Sequence, residues 1–171
     1  MKGYVQIYTG NGKGKTTAAL GLALRAAGSG INVYIGQFIK GMHYSELESL
    51  QRYSDLITIK QFGRDCFIHN NPSDEDYRLA QQGFEEVKEV INSGNYQLVI
   101  LDEISIAMIY KLISVEDVLS LIENKPEDIE LVITGRNVDP KITEAANLVT
   151  EMKEIRHYFQ EGVQAREGIE K

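Results

Sequence analysis

One cysteine, no tryptophan, no long basic run and no apolar run of membrane length: what these 171 residues lack already removes several classes of function. A single thiol, Cys66, can form neither an intramolecular disulfide nor a multi-cysteine zinc site, and it suits a reducing compartment. His43, His69 and His157 have no metal-ligand spacing between them. A bilayer-crossing helix needs about 20 consecutive apolar residues, and no stretch here reaches that length. With 18 basic against 25 acidic residues the formal charge is −7, so no electrostatic footprint for DNA or RNA stands out. No linker is evident, and the length suits a single domain over residues 1–171 with one sizeable core. The first motif starts so near Met1 that no targeting segment is expected before it. A cytoplasmic protein with no membrane or nucleic-acid partner is the expectation.

What is present begins with Thr9-Gly10-Asn11-Gly12-Lys13-Gly14-Lys15-Thr16-Thr17. It follows the strand-like Tyr4 to Tyr8 and precedes the helix-like Ala18 to Ala27. Glycines at alternate positions let the backbone turn tightly and aim successive N–H groups at one point, and the following helix adds the positive end of its dipole. Such a loop cradles phosphate. Lys15 is placed to reach distal phosphates, and the Thr16 hydroxyl to hold a magnesium ion bridging phosphate oxygens, so the chemistry should use a nucleoside triphosphate. The fit to G-x-x-x-x-G-K-[ST] is incomplete: Thr9 stands at the first glycine position, Gly10 comes one residue late, and the loop is one residue short.

Further on, strands are predicted at residues 31–38, 56–62, 97–101, 131–135 and 148–152. Between them lie a short helix around Glu46 to Leu50, a helix capped by Ser73 and running to Asn92, one capped by Ser114 and closed by Pro126, and one from Pro140 to Ala146. Residues 15–27 are apolar nearly all round, which predicts a helix covered on most sides. Residues 63–72 have no clear period and read as a loop containing aromatics. The alternation implies an α/β fold, a mostly parallel sheet flanked by helices on both faces with right-handed crossovers.

The strand Gln97 to Leu101 ends in Asp102-Glu103, a carboxylate pair at the sheet edge that also carries the phosphate loop. An apolar strand followed by an acid is the second half of a phosphate-loop nucleotide site, where the carboxylate holds magnesium directly or through water. The second acid is open to three roles: activating water, deprotonating a phosphoryl acceptor, or only ligating magnesium. A phosphoryl-transfer enzyme of the nucleoside-kinase kind and an ATP-hydrolysing module therefore remain alternatives.

The chain resembles the ATP:corrinoid adenosyltransferases of the CobA/CobO/BtuR type over nearly its whole length. The segments that carry the likeness are residues 3–18, Ala23-Leu24-Arg25-Ala26-Ala27-Gly28, Gln37-Phe38-Ile39-Lys40-Gly41, Leu101-Asp102-Glu103, Val132-Ile133-Thr134-Gly135-Arg136 and residues 161–169. The shortened Gly-Asn-Gly-Lys-Gly-Lys-Thr loop is itself typical of that family. The resemblance implies a RecA-like phosphate-loop sheet, a homodimer, and transfer of the 5′-deoxyadenosyl group of ATP to the cobalt of a reduced corrinoid, with inorganic triphosphate leaving. It implies nucleotide contacts from the loop, Arg25 and Arg136, and magnesium on Thr16, Asp102 and Glu103. Lys13, Lys15 and Glu103 then serve the leaving triphosphate, Glu103 as a ligand rather than a base. A reduced flavoprotein is the implied electron donor. Family members enclose the corrinoid with apolar side chains from a mobile loop. By position its counterpart follows Phe62, with Phe67 as first corrinoid-binding candidate and Phe62 as second. Where relatives have Phe-x-Trp, this chain has Phe67-Ile68-His69.

Overall fold

The computed structural model describes residues 2–66, 68 and 71–171. Its first strand, β1 (Val5–Thr9), runs straight into the glycine-rich loop and on into α1 (Lys15–Ala27). Then follow β2 (Val33–Phe38), α2 (Ser45–Gln51), β3 (Ile57–Phe62), α3 (Asp74–Asn92), β4 (Leu98–Asp102), α4 (Ile104–Ile109), α5 (Val115–Asn124), β5 (Glu130–Thr134), α6 (Pro140–Ala145) and β6 (Leu148–Glu151). A 3₁₀ turn at Tyr158–Glu161 opens the tail.

The six strands form one sheet in the order β3-β2-β4-β5-β1-β6, and every pairing is parallel. Parallel strands need covered faces, and the side-chain alternation supplies two cores. On one face Ile7, Tyr34, Val99, Leu101, Leu131 and Ile133 meet α3 through α6; on the other Ile35, Ile100 and Val132 meet α1 and Leu50 of α2. All five residues of β4 are buried, which is why that strand reads as an unbroken apolar run. Each such aliphatic side chain contributes about 1.5–3 kcal/mol of burial.

Two details depart from the sequence reading. Only one stripe of α1 is buried, chiefly Ala19, Ala23, Ala26 and Ala27, while Leu24 is 42 % exposed. Small alanines let α1 approach the sheet closely, and no other element covers its outer side among the described residues. A helix not expected, α4, follows β4 directly. It is only six residues long and starts from Glu103 in the left-handed region (φ 60°) with no side-chain cap, so no start signal marks it.

Candidate functional site

In a parallel sheet all the strand C-termini share one edge, and here that edge gathers the loop after β1, Gln37 near the end of β2 and Lys40 after it, Asp102 at the end of β4 and Glu103 after it, and Thr134 at the end of β5 with Arg136 beyond. Strand β5 lies between β1 and β4, so a side chain of β5, Thr134, meets the carboxylate at the end of β4.

The loop is shaped by its glycines. Gly10 and Gly14 adopt φ of +100° and +117°. A Cβ on Gly10 or Gly12 would lie 2.5 or 2.6 Å from the Met152 carbonyl oxygen. That crowding reflects real pairing, since Gly12 N donates to Met152 O at 2.7 Å and Met152 N to Thr9 O at 2.8 Å. The backbone just past β6 therefore buttresses the loop. Asn11 and Lys13 stay exposed at its tip, and Thr17 is exposed on the first turn of α1.

Lys15 is buried, and its Nζ donates to the Gly12 carbonyl at 2.7 Å. Burial pushes its pKa below the usual lysine value, against the pull of Glu103. Asp102, 1 % exposed, is saturated with donors. Thr16 Oγ1 donates to its Oδ1 at 2.8 Å and Thr134 Oγ1 at 2.7 Å, while Lys40 Nζ and Gln37 Nε2 reach Oδ2 at 2.8 and 3.2 Å. Thr134 Oγ1 also accepts from the Glu103 backbone N–H at 3.0 Å. Burial works against the Lys40 charge, yet Asp102 outweighs it and raises the ammonium above its usual value. A buried carboxylate with this many donors is held rigid, because breaking one buried charged contact costs about 3–5 kcal/mol.

Glu103 differs from its neighbour. Burial first, and the adjacent Asp102 charge second, raise its carboxyl above the usual range, while Lys40, Lys15 and Arg136 oppose the shift. Among the described residues no side-chain or backbone donor hydrogen-bonds its carboxylate. A cation nearby would stabilise it. No group of three His, Cys, Asp or Glu side chains that could hold a metal ion is assembled among the described residues. The donors present, one threonine hydroxyl, one free carboxylate and a second carboxylate aligning that hydroxyl, fit a magnesium-type ion that keeps waters and takes its remaining ligands from phosphate.

Arg136 is exposed on the rim and its charge is felt at both Lys15 and Glu103. Arg25 is not brought there. It lies in the last turn of α1, exposed, ten residues beyond Lys15 and hence about 15 Å along the helix axis. Phe62, expected as a second corrinoid contact, is a core residue instead. It is 5 % exposed, its ring centroid is 5.6 Å from that of Phe38, and it lies so close over Gly83 of α3 that a Cβ there would be 2.2 Å from the ring. Phe67 lies outside the described residues. Lys40, Gln37 and Thr134 are site residues that sequence reasoning did not single out, although the segments holding them had been marked.

A cavity of about 610 Å³ opens elsewhere, between β2, β3 and α3, lined by Tyr34, Lys60, Glu86 and Tyr96 among others. It holds none of the strand-end residues.

Compared with known proteins, residues 1–170 match the model of the ATP:corrinoid adenosyltransferase BtuR/CobO/CobP family. A corrinoid adenosyltransferase of Sinorhizobium sp is 36% identical over 172 residues, spanning 99% of this chain and 80% of that protein. Corrinoid adenosyltransferase CobA of Salmonella typhimurium is 33% identical over 170 residues, spanning 99% of this chain and 86% of that protein. Among solved structures, a KaiC-like protein of Pyrococcus horikoshii OT3 superposes with a TM-score of 0.60 at 18% identity, covering 91% of this chain and 75% of that one. That last likeness concerns the fold, a RecA-like phosphate-loop sheet.

Proposed function

The chain belongs to the ATP:corrinoid adenosyltransferase family, and we propose from that premise how its own residues carry the 5′-deoxyadenosyl group of ATP to the cobalt of a reduced corrinoid. The observation that carries the proposal is the convergence of Lys15, Thr16, Asp102, Lys40 and Glu103 on one sheet edge beside a glycine cradle.

In the reaction, Co(I) donates an electron pair to carbon 5′, a cobalt–carbon bond forms, and the carbon–oxygen bond breaks with its pair leaving on the triphosphate. Co(I) carries no proton to remove, so no general base is needed. The work left to the protein is to place carbon 5′ and to stabilise the departing charge. Backbone N–H groups of the loop, Lys13, Lys15 and Arg136 surround the triphosphate. Thr16 and Glu103 would hold magnesium, with Asp102 fixing the Thr16 hydroxyl through a hydrogen bond. Magnesium when bound neutralises charge on the phosphate oxygens. Phe67 is the side chain we assign to the corrinoid face, since Phe62 is committed to the core. A reduced flavoprotein, the donor that the family resemblance implies, would supply the electron that makes Co(I). A homodimer is the expected assembly, with the exposed outer edge of β6, including Leu148 and Val149, as available surface. The lone Cys66 thiol suits the cytoplasm.

Phosphorus NMR of the products tests the reading. The protein is mixed anaerobically, in the dark, with magnesium, ATP and chemically reduced cob(I)alamin. Intact triphosphate appearing together with a light-sensitive alkylcobalt spectrum is the expected outcome. ADP and orthophosphate with the corrinoid unchanged would mean that the loop serves phosphoryl transfer or hydrolysis.

A further inference from the structure

The tail after β6 returns over the phosphate loop and ends in a cluster of which the adenosyl-transfer roles above use Lys13 alone. Glu170 Oε1 accepts from Lys13 Nζ at 2.9 Å, from Arg166 Nη2 at 3.0 Å and from the Tyr158 hydroxyl. Its Oε2 accepts from the Arg166 backbone N–H at 2.8 Å and from Arg166 Nε at 3.2 Å. The Tyr158 ring lies beneath both cations, 5.0 Å from the Arg166 guanidinium carbon and 5.9 Å from Lys13 Nζ. Ser45 Oγ at the start of α2 donates to the Lys171 carbonyl at 3.0 Å, which anchors the tail beyond the cluster. One carboxylate oxygen is thus shared by two cations from opposite ends of the chain, one of them a lysine of the phosphate loop.

This is an anion site with a protein anion in it. Arg166 first, then Tyr158, hold the Glu170 carboxyl below its usual range. Yet the contacts are at the surface: the side chains of Lys13 and Arg166 are 38% and 52% exposed. Exposed pairs of this kind are worth about 0–1 kcal/mol and exchange readily. A triphosphate chain carries several negative charges and sits in the cradle that holds Lys13, so it outcompetes a single carboxylate for that ammonium. A guanidinium released from Glu170 presents a planar fork matched to phosphate oxygens, on a tail already anchored beside the loop.

We infer that Arg166 is a further polyphosphate-binding residue, and that Glu170 is a resident anion which the triphosphate of ATP displaces from Lys13 and Arg166. The inference rests on the nucleotide reading of the loop and extends it. Glu170 then competes with substrate and product alike, and its return to the two cations favours departure of inorganic triphosphate. Tyr158 keeps the two cations over one ring face while the anion between them changes.

Calorimetric titration of the full chain with ATP and with inorganic triphosphate, in magnesium buffer without corrinoid, tests this. Glu170→Gln is expected to tighten both ligands by about five-fold, as removal of an exposed competing pair allows. Arg166→Ala is expected to weaken both by about ten-fold, as loss of a charge-assisted phosphate contact does. Arg166→Lys should recover part of that loss. If Glu170→Gln weakens binding as Arg166→Ala does, the carboxylate only positions the tail and the inference falls. It falls alone if binding needs Lys15 but is indifferent to both tail residues. A chain that binds neither ligand overturns this inference and the nucleotide reading together.

Discussion

Asp102 is where a single side chain decides most about the site. Its Oδ1 accepts from Thr16, so the threonine oxygen keeps its lone pairs for accepting, one of them toward Lys40 Nζ at 3.5 Å and the other available to a cation. An asparagine turns one side of that group into a donor. With its oxygen kept toward Lys40 and Gln37, the amide N–H₂ faces Thr16 and Thr134, and the Thr16 oxygen must accept instead of donate. Asp102→Asn is therefore expected to raise the magnesium concentration needed for half-maximal rate by about 10–100-fold, the range for losing a group that orients a metal ligand. A magnesium titration of the transfer rate reads it. An unchanged midpoint would show that Asp102 does not set the Thr16 hydroxyl. The sequence made Lys15, Thr16 and Asp102 readable because loop and strand end are local patterns of fixed spacing. Lys40 was not readable as an Asp102 partner. Its placement depends on Ile39 at φ 60° and on Gly41 passing so close to Gly63 that a Cβ would be 2.1 Å from the Gly63 carbonyl oxygen. Neither the strained turn nor the crossing has a signature along the chain.

At the scale of one element, the start of α3 shows how a cap can tie down a loop. Ser73 and Asp76 form a reciprocal capping box, and Asp76 also takes a two-pronged contact from Arg64, at 2.7 Å from Nε and 2.8 Å from Nη2. The Arg64 hydrogen bonds hold the Asp76 carboxyl down at about 2 despite its burial. A carboxyl depressed in the folded state stabilises the fold above its unfolded pKa, near 4, and that contribution is lost as pH falls through about 2. Asp76→Ala should therefore lower stability at pH 7 by about 2 kcal/mol, from a shift of nearly two pKa units. Urea unfolding at pH 7 and near pH 2 checks this: the gap between wild type and variant should shrink at the lower pH. An equal gap at both would assign the loss to helix capping alone. Ser73 and the acids behind it were legible as a helix start, since capping is a rule of neighbours in sequence. Arg64 was not, because its side chain reaches Asp76 across a loop without periodicity. Phe62 was misread for a related reason. An aromatic at a strand end looks the same from sequence whether it faces a ligand or fills the space that Gly83 leaves on α3.

Across the whole molecule, alternating strands and helices announced a parallel α/β sheet, but not the order of its strands. That β5 lies between β1 and β4 follows from crossovers spanning many residues, and it is this order that sets Thr134 against the same Asp102 oxygen that Thr16 reaches from the start of α1. The site is thus built from the ends of β1, β2, β4 and β5 together, and a ligand held there binds only the assembled sheet. Binding to the folded state alone stabilises by about 2.7 kcal/mol when ligand stands at 100 times its dissociation constant. For a chain of this size that is a rise of about 5–10 °C in Tm. Lys15 separates the ligand's contribution from the fold's. Burial holds its ammonium below the usual pKa, so keeping it charged works against folding rather than for it. Lys15→Ala should consequently match or exceed the wild-type Tm without ligand and lose most of the rise with magnesium and ATP, both read in one thermal melt series. A variant that melts lower without ligand would make the Lys15 contact to the Gly12 carbonyl a support of the loop itself. A variant that keeps the full rise would take Lys15 out of nucleotide binding.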